Sequence, residues 1–388
     1  MRFALTPEQQ QLEKDVRDYL IRTKPPGLED EWEIDFEGGG PINRQYLKRL
    51  AIDGWLGIGW PKEYGGQNRS PIDQYIFYDI AFGYHGVRVP NMALNSIAPT
   101  IMRVGTQEQK KRFLPPILKG EIFIALGYTE PEAGSDLASL KTTAIRDGDH
   151  YVINGQKVFT SLADISDYIW LAARTNRDAP KHKGISIFMI DTKTPGVTIL
   201  PLLTMANKTT STFYDNVRVP KECLIGEENK GWQYIHQALA LERVALVPHS
   251  APLRFLDDIK EWIREHRSNI SEGSYSLIKN NLSEMAIETE IVKLFNFRVA
   301  WLLSRGRVSD AESAMTKVFG IEQILRLLHT TFGIMGLYGQ LQPGSKYAPF
   351  KGRLENMLRV NIHLLFGGGA NDILRDMVAM SRGLGPSR

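Results

Sequence analysis

Tyr128-Thr129-Glu130-Pro131-Glu132-Ala133-Gly134-Ser135-Asp136 is the most informative stretch of the chain, and Asn154-Gly155-Gln156-Lys157-Val158-Phe159-Thr160-Ser161 follows it closely. The first joins a hydroxyl, a proline turn and a small-residue segment. It can offer backbone N–H groups and two hydroxyls to the polar edge of a ligand. The second runs from a hairpin-type dipeptide into an aromatic and two adjacent hydroxyls. A ring face can stack on a ring system while hydroxyls bond its heteroatoms. Each also has a plainer reading when taken alone: a loop entering a β-domain, and a strand with Phe159 in a core.

Outward from these stretches the texture is β from about 125 to 224. Asp147-Gly148 and Asn154-Gly155 read as hairpin turns flanking Tyr151-Val152-Ile153. Residues 168–171, 185–190 and 197–200 are short strand-like runs. That many strands in so short a segment predict a small barrel or sandwich. Before it the pattern is helical: Thr6-Pro7-Glu8 reads as an N-cap, an N1 proline and an acidic first turn, ahead of Leu12, Val16, Tyr19 and Leu20 at helical spacing. The glycine-rich stretch 55–61 ends in proline and is expected to be non-helical. From Gly231 onward the pattern is helical again. Ile278, Leu282, Met285, Thr289, Val292, Asn296, Val299 and Leu303 mark one long helix. Asp310 is the expected cap of a helix bearing Ala314, Val318, Ile321, Leu325 and Leu328.

The 388 residues suffice for two or three domains with large cores, and 43% hydrophobic with 23% charged residues is ordinary for a globular protein. A net charge of +3, with the two signs interspersed, argues against nucleic acid as partner. The single cysteine, Cys223, fits a reducing compartment. Residues 1–20 are charged throughout, with no apolar signal core, and no apolar run is long enough to span a membrane. A cytoplasmic location is the expectation. The histidines at 85, 236, 249, 329 and 363 have no metal-like spacing and are expected to be structural or surface residues, with no metal site.

Several blocks occur together and in order: Gly54-Trp55-Leu56-Gly57, Trp60-Pro61-Lys62-Glu63-Tyr64-Gly65-Gly66, then residues 105–110 with Leu114-Pro115 and Gly120-Glu121, then the two stretches quoted first. Together they resemble the acyl-CoA dehydrogenase family along the whole chain. The resemblance implies an α+β fold: an N-terminal helical domain over 1–124, a small central β-barrel or sandwich over 125–230, and a C-terminal four-helix bundle over 231–388. It implies FAD as cofactor. Leu126, Tyr128, Thr129 and Ser135 would then line the flavin, with Thr129 on the pyrimidine edge and Ser135 near CoA. Phe159 stands where the family often has a tryptophan, and Ser161 where a hydroxyl bonds flavin N5. Thr160, Gly336, Asn371 and Asp372 are further cofactor-binding expectations, and Arg243, Gly368 and Gly369 join Ser135 on the substrate. The Gly367–Gly369 run before a helix is suited either to a phosphate or to a bulky substrate.

Family members remove an α-proton with a glutamate while the β-hydride leaves for flavin N5. Many place that base in the C-terminal loop, where this chain has Gly368. Others place it on the first helix of the C-terminal domain, just before an arginine, and Glu242-Arg243 matches that position. Ile235, Leu239, Glu242 and Leu246 share one face of a helix, and a carboxylate among apolar neighbours is a stronger base. The alternative is a structural salt bridge with Arg243. Residues 264–270 lack the family's Arg-x-x-Phe-Gly, and residues 333–337 lack its glutamine. These departures resemble members acting on steroid side-chain or ring thioesters, which can pair two different subunits.

The resulting expectation is FAD-dependent α,β-dehydrogenation of a branched, cyclic or steroid-derived acyl-CoA, in lipid metabolism. Glu242 is the base, an electron-transfer flavoprotein the acceptor, and a homotetramer or α2β2 heterotetramer the assembly. Two alternatives stand: an oxidase passing electrons to oxygen, and a non-catalytic subunit that completes a partner's FAD site.

Overall fold

β-Branched and aromatic residues between 124 and 225 assemble into one mixed sheet. The computed structural model describes residues 4–34, 38–205, 208–245, 247–307 and 309–385, except for the side chains of 32–34 and 239–245. Within these the chain divides into two compact units interleaved in sequence: Asp35–Asn68 with Pro90–Glu242, and Met1–Ile34 with Arg69–Val89 and Arg243–Arg388.

The first unit holds the sheet. Its strands are β1 (Ile124–Gly127), β2 (Thr143–Asp147), β3 (His150–Lys157), β4 (Tyr168–Arg174), β5 (Ile185–Asp191), β6 (Val197–Leu203), β7 (Lys208–Pro220) and β8 (Leu224–Ile225). The order is β6-β7-β3-β2-β4-β5-β8, with β1 parallel to β4. β4 and β5 are buried on both faces, hence their unbroken apolar runs.

One strand expectation is corrected. Asn154-Gly155 is not a turn: β3 runs through it with a bulge against β7. Asn154 Oδ1 accepts the Asn216 N–H at 2.8 Å, and a Cβ on Gly155 would lie 2.4 Å from Thr142 Oγ1, so the dipeptide's turn chemistry is spent on the bulge. The 13-residue β7 escaped the reading because its Thr and Ser run does not alternate apolar with polar.

The second unit is helical. Thr6 caps Pro7–Thr23 in a capping box with Gln9, and Leu12, Val16, Tyr19 and Leu20 are buried, as expected. The long helix is Glu272–Ser304, and Ile278, Met285, Thr289, Val292, Asn296 and Val299 face its core. Ser309, not Asp310, caps the next helix: Ser309 Oγ accepts the Glu312 N–H at 3.3 Å, and Asp310 opens the first turn. Residues Asp79–Tyr84 of this unit, and Ala93–Ile97 of the sheet-bearing unit, widen into π-helical turns, a feature with no sequence signal in the pattern. No helix among the described residues is long and apolar enough to cross a membrane.

Candidate functional site

The two opening stretches meet at the end of β3. The Val158 N–H donates to Thr129 O at 2.9 Å, which sets the residue before Phe159 beside the loop leaving β1. Lys157, fully buried, donates through Nζ to Tyr128 O at 3.0 Å and to Glu130 Oε1 at 2.8 Å. Glu130, also buried, accepts the N–H groups of Lys141 at 2.6 Å and Thr142 at 2.8 Å. Burial raises the Glu130 carboxyl, but the ammonium and these donors outweigh it and hold the group below the usual carboxylate range. Burial also pulls Lys157 down to about 8, against the opposing pull of Glu130. This pair went unnoticed in the sequence, though both residues lie inside the quoted stretches.

Beyond Lys157 the chain leaves the ladder. Phe159 has φ of 56° and is 59% exposed, so it is no core residue. A bulky side chain in the left-handed region costs roughly 1–3 kcal/mol and persists only where the surroundings over-determine it. Thr160 supplies the far anchor: its N–H donates to Thr210 O at 2.9 Å, and Thr210 Oγ1 donates to Thr160 O at 2.5 Å. Ser161 Oγ lies 3.1 Å from Thr209 Oγ1, and Thr212 Oγ1 lies 3.0 Å from Tyr214 OH. Thr209, Thr210 and Thr212 are supporting residues the sequence reading missed. Their signal is the hydroxyl run Thr209-Thr210-Ser211-Thr212, three of its four residues β-branched, which marks a strand with a hydroxyl face.

Leu126 is partly buried at the end of β1, and Tyr128 turns its hydroxyl inward to accept from Trp170 Nε1 at 2.9 Å. Thr129 is partly buried and Ser135 exposed, and neither hydroxyl bonds another described residue. Both carboxylate oxygens of Asp136 accept from Lys181 Nζ at 2.9 Å, steadying the loop around Ser135.

Position 242 lies on the helix Gly231–Ala245, one turn beyond buried Ala238. The side chains of Leu239, Glu242, Arg243 and Leu246 lie outside the described residues.

In the helical unit Gly336 ends Asp310–Met335 with φ of 57°. Gly368 and Gly369 have φ of 66° and 103°. Buried Lys317 donates to Gly369 O at 2.9 Å and to Asn371 Oδ1 at 2.7 Å, and Asn371 Nδ2 donates to Glu322 at 3.0 Å. The Asn371 side chain is thus engaged internally, whereas Asp372 is exposed at the start of the same helix.

A second buried carboxylate, Asp79, sits in this unit. His249 Nδ1 lies 3.0 Å from Asp79 Oδ1, Tyr75 OH donates to the same oxygen at 3.2 Å, and Ser250 donates its N–H at 3.2 Å and its hydroxyl. Burial raises Asp79, and the His249 and Ser250 contacts outweigh it, leaving the group below its ordinary range. His249, expected to be structural or surface, is thus a structural partner of Asp79, and its Nδ1 also lies 2.7 Å from Tyr75 OH.

Three family models match in sequence: the acyl-CoA dehydrogenase N-terminal domain over residues 6–121, the middle domain over 125–217 and the C-terminal domain over 229–382. Acyl-CoA dehydrogenase FadE29 of Mycobacterium tuberculosis is 43% identical over 382 residues, covering 97% of each chain. Among solved structures, a Tcur3481-Tcur3483 steroid ACAD shares 38% identity at a TM-score of 0.91, covering 100% of both chains. A chain of the ChsE4-ChsE5 complex from Mycobacterium tuberculosis shares 40% at 0.90, also covering 100% of both. With all three domains matched in order and a relative this similar end to end, the chain belongs to the acyl-CoA dehydrogenase family, whose members are flavoprotein oxidoreductases.

Proposed function

We propose that this protein holds FAD and dehydrogenates a steroid-derived, branched or cyclic acyl-CoA between its α and β carbons. FAD, when bound, accepts the hydride that leaves the β-carbon. The residues fit a flavin: a half-buried Thr129 hydroxyl with no partner among the described residues lies beside an exposed, backbone-strained Phe159. Thr129 takes the polar edge, Phe159 the ring face, Leu126, Tyr128, Thr160 and Ser161 the surrounding wall, and Ser135 the CoA side. Gly336, Asn371 and Asp372 keep their assignment to the cofactor, with Asn371 acting through its backbone. Arg243, Gly368 and Gly369 keep theirs to the thioester.

Glu242 is the base in this reading. The alternative base position, Gly368, has no side chain, and its φ of 66° disfavours any replacement that has one. Replacing Glu242 by Gln keeps shape and hydrogen bonding but removes the proton acceptor. Flavin bleaching on mixing with a panel of steroid side-chain, branched and straight-chain CoA thioesters is expected to slow by about 10²–10⁴-fold. Undiminished bleaching would reassign Glu242 to an ion pair with Arg243. The steroid preference draws support from the relative described as a steroid ACAD.

An electron-transfer flavoprotein is the proposed acceptor; rapid reoxidation by oxygen alone would favour the oxidase reading instead. Assembly as a tetramer, homomeric or two-plus-two, draws support from apolar residues left exposed on the helical unit. Ile287 and Leu294, seven residues apart on the long helix, are 61% and 47% exposed, and Leu337 is 81% exposed. The Ile278–Leu303 stripe, by contrast, serves the unit's own core. Light scattering on the chain alone and with a co-expressed related chain tests this.

A further inference from the structure

We propose that the buried Lys157–Glu130 pair is a positioning device for the flavin, locking the 128–130 loop to the 157–161 segment so that Thr129 and Phe159 stand at a fixed separation. The inference rests on the FAD reading above.

A buried ion pair is weak evidence for stability, because well-packed apolar residues of similar volume often serve as well or better. What this pair does is geometric. One ammonium reaches the carbonyl of Tyr128 and the carboxylate of Glu130 at 3.0 and 2.8 Å, the residues on either side of Thr129. Lys157 is also the last paired residue of β3, opposite Thr212 of β7. Phe159 is therefore suspended between two fixed points: Lys157–Val158 tied to residues 128–130, and Thr160 tied to Thr210. That double anchorage is what a strained φ of 56° requires to persist. Arg174 extends the same support, donating to Ala138 O at 2.6 Å and Leu140 O at 3.1 Å, just before the Lys141-Thr142 segment that Glu130 holds at the start of β2.

The lock has a pH signature. Burial pulls Lys157 down to about 8, while Glu130 opposes that pull and Arg174 adds to it. Glu130 is held below the usual carboxylate range, burial pulls Arg174 down against the pull of Glu130, and Lys141, whose exposed ammonium is raised mainly by Glu132 and also by Glu130, and Thr142 donate their backbone N–H groups to Glu130. A lysine whose folded pKa lies below its unfolded value gives a stability that rises with pH from about 8 to the ordinary lysine range. FAD affinity, if it needs the charged lock, falls over that same interval. Opposite slopes for stability and affinity separate a positioning role from a merely structural one.

The experiment titrates FAD into the full chain stripped of flavin, from pH 7 to 9.5, reading quenching of flavin fluorescence, with thermal melting alongside. The parent is expected to lose about tenfold in affinity between pH 7 and 9, as one proton with this pKa requires. Lys157→Met is expected to bind at least about tenfold more weakly at pH 7. The double variant Glu130→Gln/Lys157→Met leaves no unpaired buried charge; it is expected to melt near the parent, bind weakly and show no slope near pH 8. A double variant with the parent's affinity and slope overturns the proposal. So does a flat parent profile, which decides the matter even where neither variant folds. A parent that takes up no FAD at all overturns the flavin reading, and this inference with it.

Discussion

Asp79 and Glu130 are the two carboxylates buried among the described residues, one in the helical unit and one beside the sheet. Glu130 is bound to a fully buried lysine 27 positions away and to two backbone N–H groups. Asp79 is bound to a histidine, a tyrosine hydroxyl and both donors of Ser250, 171 positions away. The first arrangement depends on one ammonium, which burial pulls down to about 8. In the second, the carboxylate has neutral donors in both groups of Ser250 and in Tyr75, whose hydroxyl also lies 2.7 Å from His249 Nδ1. The first also borders an exposed, strained aromatic, while the second lies inside a core with Phe297 edge-on to Tyr75 at 5.2 Å. One cluster is built to aim groups at a ligand; the other joins distant helices.

The sharpest way to break that contrast is to delete one partner from each. Lys157→Met strands a buried carboxylate and is expected to cost about 3–5 kcal/mol, the range for breaking a buried pair. Asp79→Asn keeps shape but weakens charge-assisted hydrogen bonds and is expected to cost about 1.5–3 kcal/mol. Urea denaturation of both variants gives the ranking, and a reversed order would mean that Asp79, not Lys157, carries the less replaceable charge.

Acid treats the two clusters alike. Both carboxyls sit below their ordinary range, so their contribution is fully present above that range and is lost as pH falls through the lowered values. Stability measured from pH 7 downward should hold through pH 5 and then decline. In Glu130→Gln/Lys157→Met the decline should be shallower, because of the two buried carboxyls only Asp79 remains to be protonated.

His249→Gln should cost least of these, about 1 kcal/mol or less, because Tyr75 and Ser250 still serve Asp79. A loss as large as that of Asp79→Asn would show that the imidazole, not the hydroxyls, holds the cluster.

Why one cluster was half legible and the other invisible follows from chain distance. Glu130 and Lys157 lie inside motifs chosen for their hydroxyls and aromatic, so only their pairing had to be seen. Asp79 and His249 meet through tertiary packing of the π-turn Asp79–Tyr84, where Gly83 lies so close to Pro248 that an added Cβ would sit 2.7 Å from its ring. No periodicity encodes that approach. Helix starts were legible where the cap is local, as at Thr6, and slipped by one residue at Ser309-Asp310, where two capping types adjoin. Asn154-Gly155 misled because a bulge and a hairpin want the same glycine.

Phe159 carries the smallest stability effect and the one of opposite sign. Its φ of 56° suits asparagine far better than phenylalanine, since asparagine visits the left-handed region readily. The ring is 59% exposed, so its loss removes little packing in the chain itself. Phe159→Asn is therefore expected to raise stability, by up to about 1 kcal/mol, through relief of backbone strain. The same change removes the face proposed to stack on the flavin, so FAD should bind more weakly. Strain kept for a ligand predicts that pairing of gain and loss. An Asn variant that melts earlier than the parent would show instead that Phe159 packs into the unit it leaves, and one that melts later yet holds FAD unchanged would detach the strained turn from the cofactor.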